Sequence, residues 1–358
     1  MALSFLKSSA KKRDHIVAVD LGARTTKAVY LQRKGETYAL ANYTLLDAPI
    51  YEKSLSADLL AEHLKTISQS LGARTKQVIL ALGVSDAIVR QTELPMVGLP
   101  DMRLMVKLNT KNYLQQDLPG HIFDCFILPP RSVPKPAEGE KEKRTGPQKF
   151  KVLVGGAKQQ LVDDLQTAIK GAGLIPDMIV PGLVGPANAC ELAMPEVFQK
   201  EVLAMVEIGF KSSSICILAE GELVLSRVVG IGGDKMTAGL AEARGITYAE
   251  AEGIKVGLPE EVQQDLEPLL IPLGRELRAS IDFFEHQADK TVGQIFVSGA
   301  AARSSFIVQS LQNELMVPCK TWNPAATLQL ALPPQQLAEV EQSAPMLAVA
   351  IGAAAGAM

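Results

Sequence analysis

Two segments of this chain repeat one local pattern, and few folds accommodate such a repeat. IVAVDLGARTTKAVYL at 16–31 and LAMVEIGFKSSSICIL at 203–218 each run apolar strand, carboxylate, glycine, hydroxyl-bearing residues, apolar strand. In the first copy Asp20 closes the strand, Gly22 permits a tight turn, Thr25 and Thr26 follow, and Lys27 to Leu31 form the return strand. Glu207, Gly209 and the run Ser212, Ser213, Ser214 hold the matching places in the second copy. A glycine beside small hydroxyl residues leaves backbone N–H groups open to phosphate oxygens, and a nearby carboxylate holds Mg²⁺, usually through water. One such hairpin is a common turn. Its repetition in both halves of the chain points to two turns gripping one triphosphate from opposite sides.

Composition frames that reading. With 358 residues, 47% hydrophobic and 21% charged, the chain is long enough and apolar enough for two or more packed domains. A formal net charge of −3 supplies no global field toward nucleic acid or an anionic membrane. Cys125, Cys190, Cys216 and Cys319 lie far apart without a C-x-x-C pair, so they read as reduced thiols of a cytoplasmic protein, not a disulfide frame or zinc site. His15, His63, His121 and His286 are scattered and lack metal-ligand spacing. No segment reaches the roughly 20 apolar residues of a transmembrane span, and the opening MALSFLKSSAKKRDH has too short an apolar run for a signal peptide. No Walker loop, G-x-G-x-x-G fingerprint or nucleophile elbow is present, and GGAKQQ at 155–160 lacks the second glycine and Lys-Ser/Thr ending of a phosphate loop.

Along the chain, SADLLAEHLKTISQSLG at 56–72 spaces Leu60, Leu64, Ile67 and Leu71 as one helix face, with Ser56 as N-cap and Gly72 as stop. QVILALG at 77–83 reads as a buried strand, completing an α/β pattern. From 84 to about 175 the texture changes to a small inserted subdomain. It holds an expected helix over 101–117, a strand at HIFDCFIL, an exposed loop at 129–149, a strand at FKVLVGGA and a helix at QQLVDDLQTAIKGAG. In the second half, ICILAEGELVLSRVVGIGG predicts two strands around Glu220-Gly221. Helices follow at DKMTAGLAEARG, ITYAEAEGIKVG and 273–287, and QIFVSGAAARSSF reads as strand, small-residue turn and helix. The Ala- and Gly-rich tail is too short to span a bilayer and is expected to pack on a sheet.

Taken in order, D-x-G at 20–22, E-x-G at 207–209, GGDKMTAGLAEARGITYAEAEGIK at 232–255 and SGAAA at 298–302 have the spacing of an actin-like ATPase. Within that superfamily the chain resembles, over nearly its whole length, the PilM family of type IV pilus assembly proteins. The most specific pieces are VDLGARTTKAVYL, LPMVGLPDMRLMVKLNTKNYLQQDLP, the 232–255 stretch and RELRASIDFF. The resemblance implies an α/β, actin-like (ribonuclease H-like) fold of two lobes, with duplicated phosphate-binding hairpins, an inserted small subdomain, and ATP with Mg²⁺ in the cleft. Expected bounds are a flexible terminus at 1–14, a first lobe at 15–83 and 176–200 with 340–358 packing back on it, an insert at 84–175, and a second lobe at 201–339.

Position by position, the resemblance implies that Asp20 and Glu207 face Mg²⁺ through water. Gly22, Thr25, Thr26 and Lys27 meet the phosphates from one side, and Gly209, Ser212, Ser213 and Ser214 from the other. Glu252 and Lys255 would lie near ribose and adenine, and Ser298, Gly299 and Ala300 would let the base pass close to the backbone. Without the resemblance, Glu252 and Lys255 read as an i,i+3 pair on an exposed helix, and Lys27 equally well as a strand-edge lysine with its head in solvent. As partner the resemblance implies the cytoplasmic N-terminal tail of a bitopic inner-membrane protein of pilus or type II secretion assembly, docked as an extended peptide near the insert. A pilus motor ATPase is a further implied contact.

Three positions depart from the family pattern: Glu207 stands where Asp is usual, Ala300 replaces one of two paired glycines, and Gly185 before Pro186 replaces an acidic residue that would orient the attacking water. Loss of a positioned base lowers a rate by roughly 10²–10⁴, so hydrolysis is expected to be slow at most. Rival readings are a non-hydrolysing scaffold with the same partner, a sugar or acetate kinase on the same fold, and a filament former like the cell-division homologue.

Overall fold

The structure, a computed structural model, describes residues 13–49, 56–128, 149–257 and 259–358. All of the loop expected at 129–149 except Lys149, which opens a strand, and nearly all of the terminus expected to be flexible at 1–14 fall outside these residues. In chain order the strands are β1 (His15–Asp20), β2 (Thr25–Lys34), β3 (Thr37–Asp47), β4 (Gln77–Leu82), β5 (Ala87–Pro95), β6 (His121–Ile127) and β7 (Lys149–Lys158). There follow β8 (Ile175–Pro181), β9 (Val202–Ile208), β10 (Ser213–Ala219), β11 (Glu222–Val229), β12 (Gln294–Ser298), β13 (Cys319–Thr321) and β14 (Gln329–Leu330).

The sequence repeat is a fold repeat. One sheet has the order β14-β3-β2-β1-β4-β8 and a second the order β11-β10-β9-β12-β13. Each begins with an antiparallel meander, β1-β2-β3 or β9-β10-β11, and continues into two parallel strands, β4 and β8 or β12 and β13. The central strands are buried on both faces, which is why they read as continuous apolar runs and not as alternation.

Both faces of the first sheet are covered by helices. On one side Val17, Val19 and Leu80 pack with Leu60 and Leu64 of helix Ala57–Leu71 and with Leu165 and Ile169 of helix Gln159–Gly171. Ser56 caps the former by accepting from the Leu59 N–H, and Gly72 closes it in the left-handed region at φ 56°. Helix Gln159–Gly171 therefore belongs to the first-lobe core, and the boundary expected at 175 moves back to the end of β7. On the other side Ile16, Ala18, Val29 and Ile79 pack with helices Gly185–Ala193 and Ala348–Ala355. These two helices cross with almost no side chain between them: a Cβ on Gly185 would lie 2.8 Å from Val349 Cα, and one on Gly352 would strike the Gly185 carbonyl. The chain returns to the first sheet earlier than 340, because β14 pairs with β3.

The insert is a three-stranded antiparallel sheet, β5-β7-β6. The helix expected over 101–117 is two pieces, Leu99–Leu108 and Thr110–Leu114, broken at Asn109 with φ −144° and ψ 56°. The insert also touches the second lobe: Lys151 Nζ lies 2.7 Å from Glu222 Oε2, and Ser226 Oγ donates to Val89 O at 3.0 Å.

Candidate functional site

The turns β1–β2 and β9–β10 face each other across a cleft of about 1450 Å³, more than the roughly 300–1,000 Å³ that a small-molecule pocket needs. The two turns are built alike. A Cβ on Gly22 would strike the Thr25 carbonyl, and one on Gly209 would lie 2.6 Å from the Ser212 carbonyl, three residues on in each case. Only glycine permits this approach. The second turn is braced by helix Gly233–Arg244, whose first N–H groups donate to Gly209 O and Phe210 O at 2.9 Å each. A third turn, Gly83–Asp86 after β4, also lines the cleft and links the lobes, with Ser85 Oγ 3.2 Å from Ser212 Oγ.

Charges in the cleft are unevenly compensated. Lys27 Nζ pairs with Asp20 Oδ2 at 2.9 Å, both side chains largely buried. Burial pulls the Lys27 ammonium down, but the Asp20 and Glu207 charges outweigh it and hold the group above the ordinary lysine range. Glu207 is 6% exposed, and its Oε2 has no hydrogen-bond partner. Burial pushes its carboxyl up to about 7, against the opposing pull of Lys27 and a hydrogen bond from Ser298. A buried carboxylate oxygen left unsatisfied, facing a second carboxylate across the cleft, is a donor set suited to a hard divalent cation. No cluster of three or more His, Cys, Asp or Glu forms a metal site among the described residues.

Of the residues singled out from the sequence, Asp20, Gly22, Thr25, Thr26, Lys27, Glu207, Gly209, Ser212, Glu252, Lys255 and Ala300 line this one cleft. Ser213, Ser214, Ser298 and Gly299 do not. Ser213 and Ser214 lie within β10, and the Ser213 hydroxyl donates to Ile231 O at 2.7 Å. Ser298 is fully buried and supports Glu207 from behind. Gly299, at φ 94°, has a left-handed backbone, and a Cβ there would strike the Ile208 carbonyl. Glu252 and Lys255 do pair, at 2.7 Å, but not on an exposed face. Lys255 is 7% exposed and its three donors reach Gly233 O, Thr237 Oγ1 and Glu252 Oε2, so it ties the helix Tyr248–Gly257 to the base of the second turn.

Gly185 also needs correcting. It is packed against Val349 and Gly352 and does not line the cleft, so its lack of a side chain answers a helix crossing. An acidic side chain has no room there. Residues that the sequence reading passed over also face the cleft, among them Arg24, Phe210, Lys211, Asp86 and Lys158. His63, read as surface or packing, meets the first turn through Nε2 at 2.8 Å from Thr26 Oγ1. Proximity of Arg24 and Lys211 to their own turns was the available signal; the contact with the opposite lobe had none.

A family model described as type IV pilus assembly protein PilM matches residues 18–357. The chain belongs to the PilM family. A solved structure described as a PilM-PilN type IV pilus biogenesis complex is similar at 22% identity and a TM-score of 0.82, covering 97% of this chain and 100% of that one. The ethanolamine utilization protein EutJ from Carboxydothermus hydrogenoformans is similar at 15% identity and a TM-score of 0.55, covering 96% and 90%. MreB 5 of Spiroplasma citri, solved bound to AMPPNP, is similar at 11% identity and 0.51, covering 96% and 95%. The fold is actin-like, as the duplicated sheet order requires. Among the described residues no helix is long and apolar enough to cross a membrane, so this PilM-family chain has no spanning helix there.

Proposed function

We propose that this chain is a cytoplasmic, ATP-binding member of the type IV pilus or related secretion assembly machinery, acting as a nucleotide-stabilised docking platform. The observation that carries the reading is the pair of glycine turns facing one cleft, with the unsatisfied buried oxygen of Glu207 between them. Asp20 and Glu207 would hold Mg²⁺, mainly through water, and the metal would neutralise polyphosphate charge. The turn N–H groups and the Thr25, Thr26 and Ser212 hydroxyls bind phosphate oxygens. Glu252 accepts from the ribose, and Ala300 lies along the base.

Nucleotide would act by holding the two lobes together. That changes partner affinity only if the two lobe arrangements bind the partner differently. The insert is suited to transmit the difference, because β5 and β7 reach Glu222 and Ser226 of the second lobe. The partner is the cytoplasmic tail of an inner-membrane protein, docked as an extended peptide near the insert. The similar structure that carries PilN in its description supports a partner of that kind. Hydrolysis is slow at most on the family resemblance alone, since Gly185 stands where an acidic residue before proline is usual. The test is calorimetry with ATP and Mg²⁺, with Asp20→Ala as control and phosphate release followed in the same samples. Binding that the control loses, with little release, supports the platform; absence of binding by folded protein overturns the nucleotide reading.

A further inference from the structure

The two turns match in backbone but not in charge compensation. Aligned on their glycines, Arg24 and Lys211 occupy the same position, two residues after Gly22 and after Gly209. Both cations converge on one aromatic ring: Arg24 Cζ lies 5.3 Å and Lys211 Nζ 5.1 Å from the centroid of Phe210. Lys211 is neutralised by Asp234 at 2.6 Å. Among the described residues no carboxylate or carbonyl accepts from the Arg24 guanidinium, and the Phe210 ring, on the opposite lobe, is the contact that holds it. Arg24 is exposed, lines the cleft, and is one of the charges that draw the Glu252 carboxyl down.

A guanidinium offers five donors in a fixed fork that matches phosphate oxygens, and stacking on an aromatic face orients it without consuming those donors. An anion entering between the turns finds this cation already drawn across the cleft, so less side-chain freedom is lost on binding. Building on the nucleotide reading above, we infer that Arg24 is a phosphate-binding residue that discriminates nucleotides by their outer phosphates, and that Phe210 is the residue that positions it from the opposite lobe.

The experiment is calorimetric titration of the full chain with ATP, ADP and AMP, each with Mg²⁺, for wild type, Arg24→Gln, Arg24→Lys, Phe210→Leu and Phe210→Tyr. A charge-assisted hydrogen bond to phosphate is worth about tenfold or more in affinity. Arg24→Gln is expected to weaken ATP by about that factor while AMP changes by at most about twofold, with Arg24→Lys recovering part of the loss. Phe210→Leu should narrow the ATP-to-AMP ratio and Phe210→Tyr restore it, a pattern that loss of packing alone would not give. Equal losses for ATP and AMP, or none in Arg24→Gln while wild type binds ATP, overturn the inference and leave the nucleotide reading standing. Failure of wild type to bind any of the three overturns both.

Discussion

The unsatisfied carboxylate at the centre of the cleft should be measurable as a stability penalty before any ligand is added. In the folded chain Glu207 holds its proton up to about 7, whereas the ordinary carboxyl value is 4.5. Between those values the folded state binds more protons than the unfolded state, so stability falls as pH rises, and the loss is complete above about pH 7. With those two values, the linkage relation gives a loss of about 2.5 kcal/mol between pH 5 and pH 8. Lys27, whose value is raised, contributes stability that is lost only above the ordinary lysine value of 10.5, outside this window. Glu207→Gln keeps the shape and the Ser298 contact but cannot ionise.

Urea unfolding of ligand-free wild type and Glu207→Gln at pH 5, 6, 7 and 8 is the assay. The variant should be the more stable at pH 8 by about 3 kcal/mol, with the gap shrinking to about 1 kcal/mol at pH 5. A gap that stays constant with pH, or that closes as pH rises, refutes the argument that burial of Glu207 outweighs the Lys27 charge and the Ser298 hydrogen bond that oppose it. If the gap behaves as expected, Mg²⁺ and ATP should stabilise wild type more strongly at pH 8 than at pH 6, because the cation supplies the missing partner.

Other perturbations follow from the same geometry. Asp20→Ala strands the buried Lys27 ammonium and should destabilise the protein by about 3 kcal/mol in the same unfolding assay, besides removing nucleotide binding. Gly209→Ala places a Cβ 2.6 Å from the Ser212 carbonyl and should weaken ATP by about tenfold in calorimetry while leaving the circular dichroism spectrum unchanged. Gly185→Glu should fail to yield folded protein and should not increase phosphate release, because the added side chain meets the Val349 backbone. Lys151→Ala, which opens the contact with Glu222, should change stability by less than about 1 kcal/mol, since the lysine is half exposed. It should nevertheless reduce the difference in partner-tail affinity measured with and without ATP.

Features set by neighbours in the chain were legible. Helix Ala57–Leu71 was readable because Ser56, Gly72 and a 3.6-residue apolar period act within one element, and the β10–β11 turn because Glu220 and Gly221 both take positive φ. Where local chemistry and tertiary contact disagreed, tertiary contact won. Helix Gln263–Ala288 begins before the expected 273 and runs through Pro268 and Pro272, because burial of Leu266, Leu270 and Leu273 outweighs the lost ladder bonds. Gly185 stands where the family resemblance puts an acidic cleft residue before proline; its partner is Val349, remote in sequence. Ser213, Ser214 and Ser298 resembled ligand-facing hydroxyls, but the strand pairing of β10 and the depth of β12 turned them inward.

A repeat also conceals what is not repeated. Read as sequence, the two turns are one motif written twice, each with a carboxylate, a glycine and a cation. In space the first turn neutralises its own carboxylate, Asp20, through Lys27 and leaves its cation, Arg24, with no carboxylate accepting a hydrogen bond from it among the described residues. The second turn does the reverse, neutralising Lys211 through Asp234 and leaving one oxygen of Glu207 unsatisfied. The uncompensated pair is therefore one anion and one cation, on opposite lobes. A cation–polyphosphate complex carries the complementary pair on a single ligand and satisfies both only when the lobes are close. Neither lobe alone offers that complement, so for such a ligand affinity and lobe closure would be coupled by charge as well as by shape.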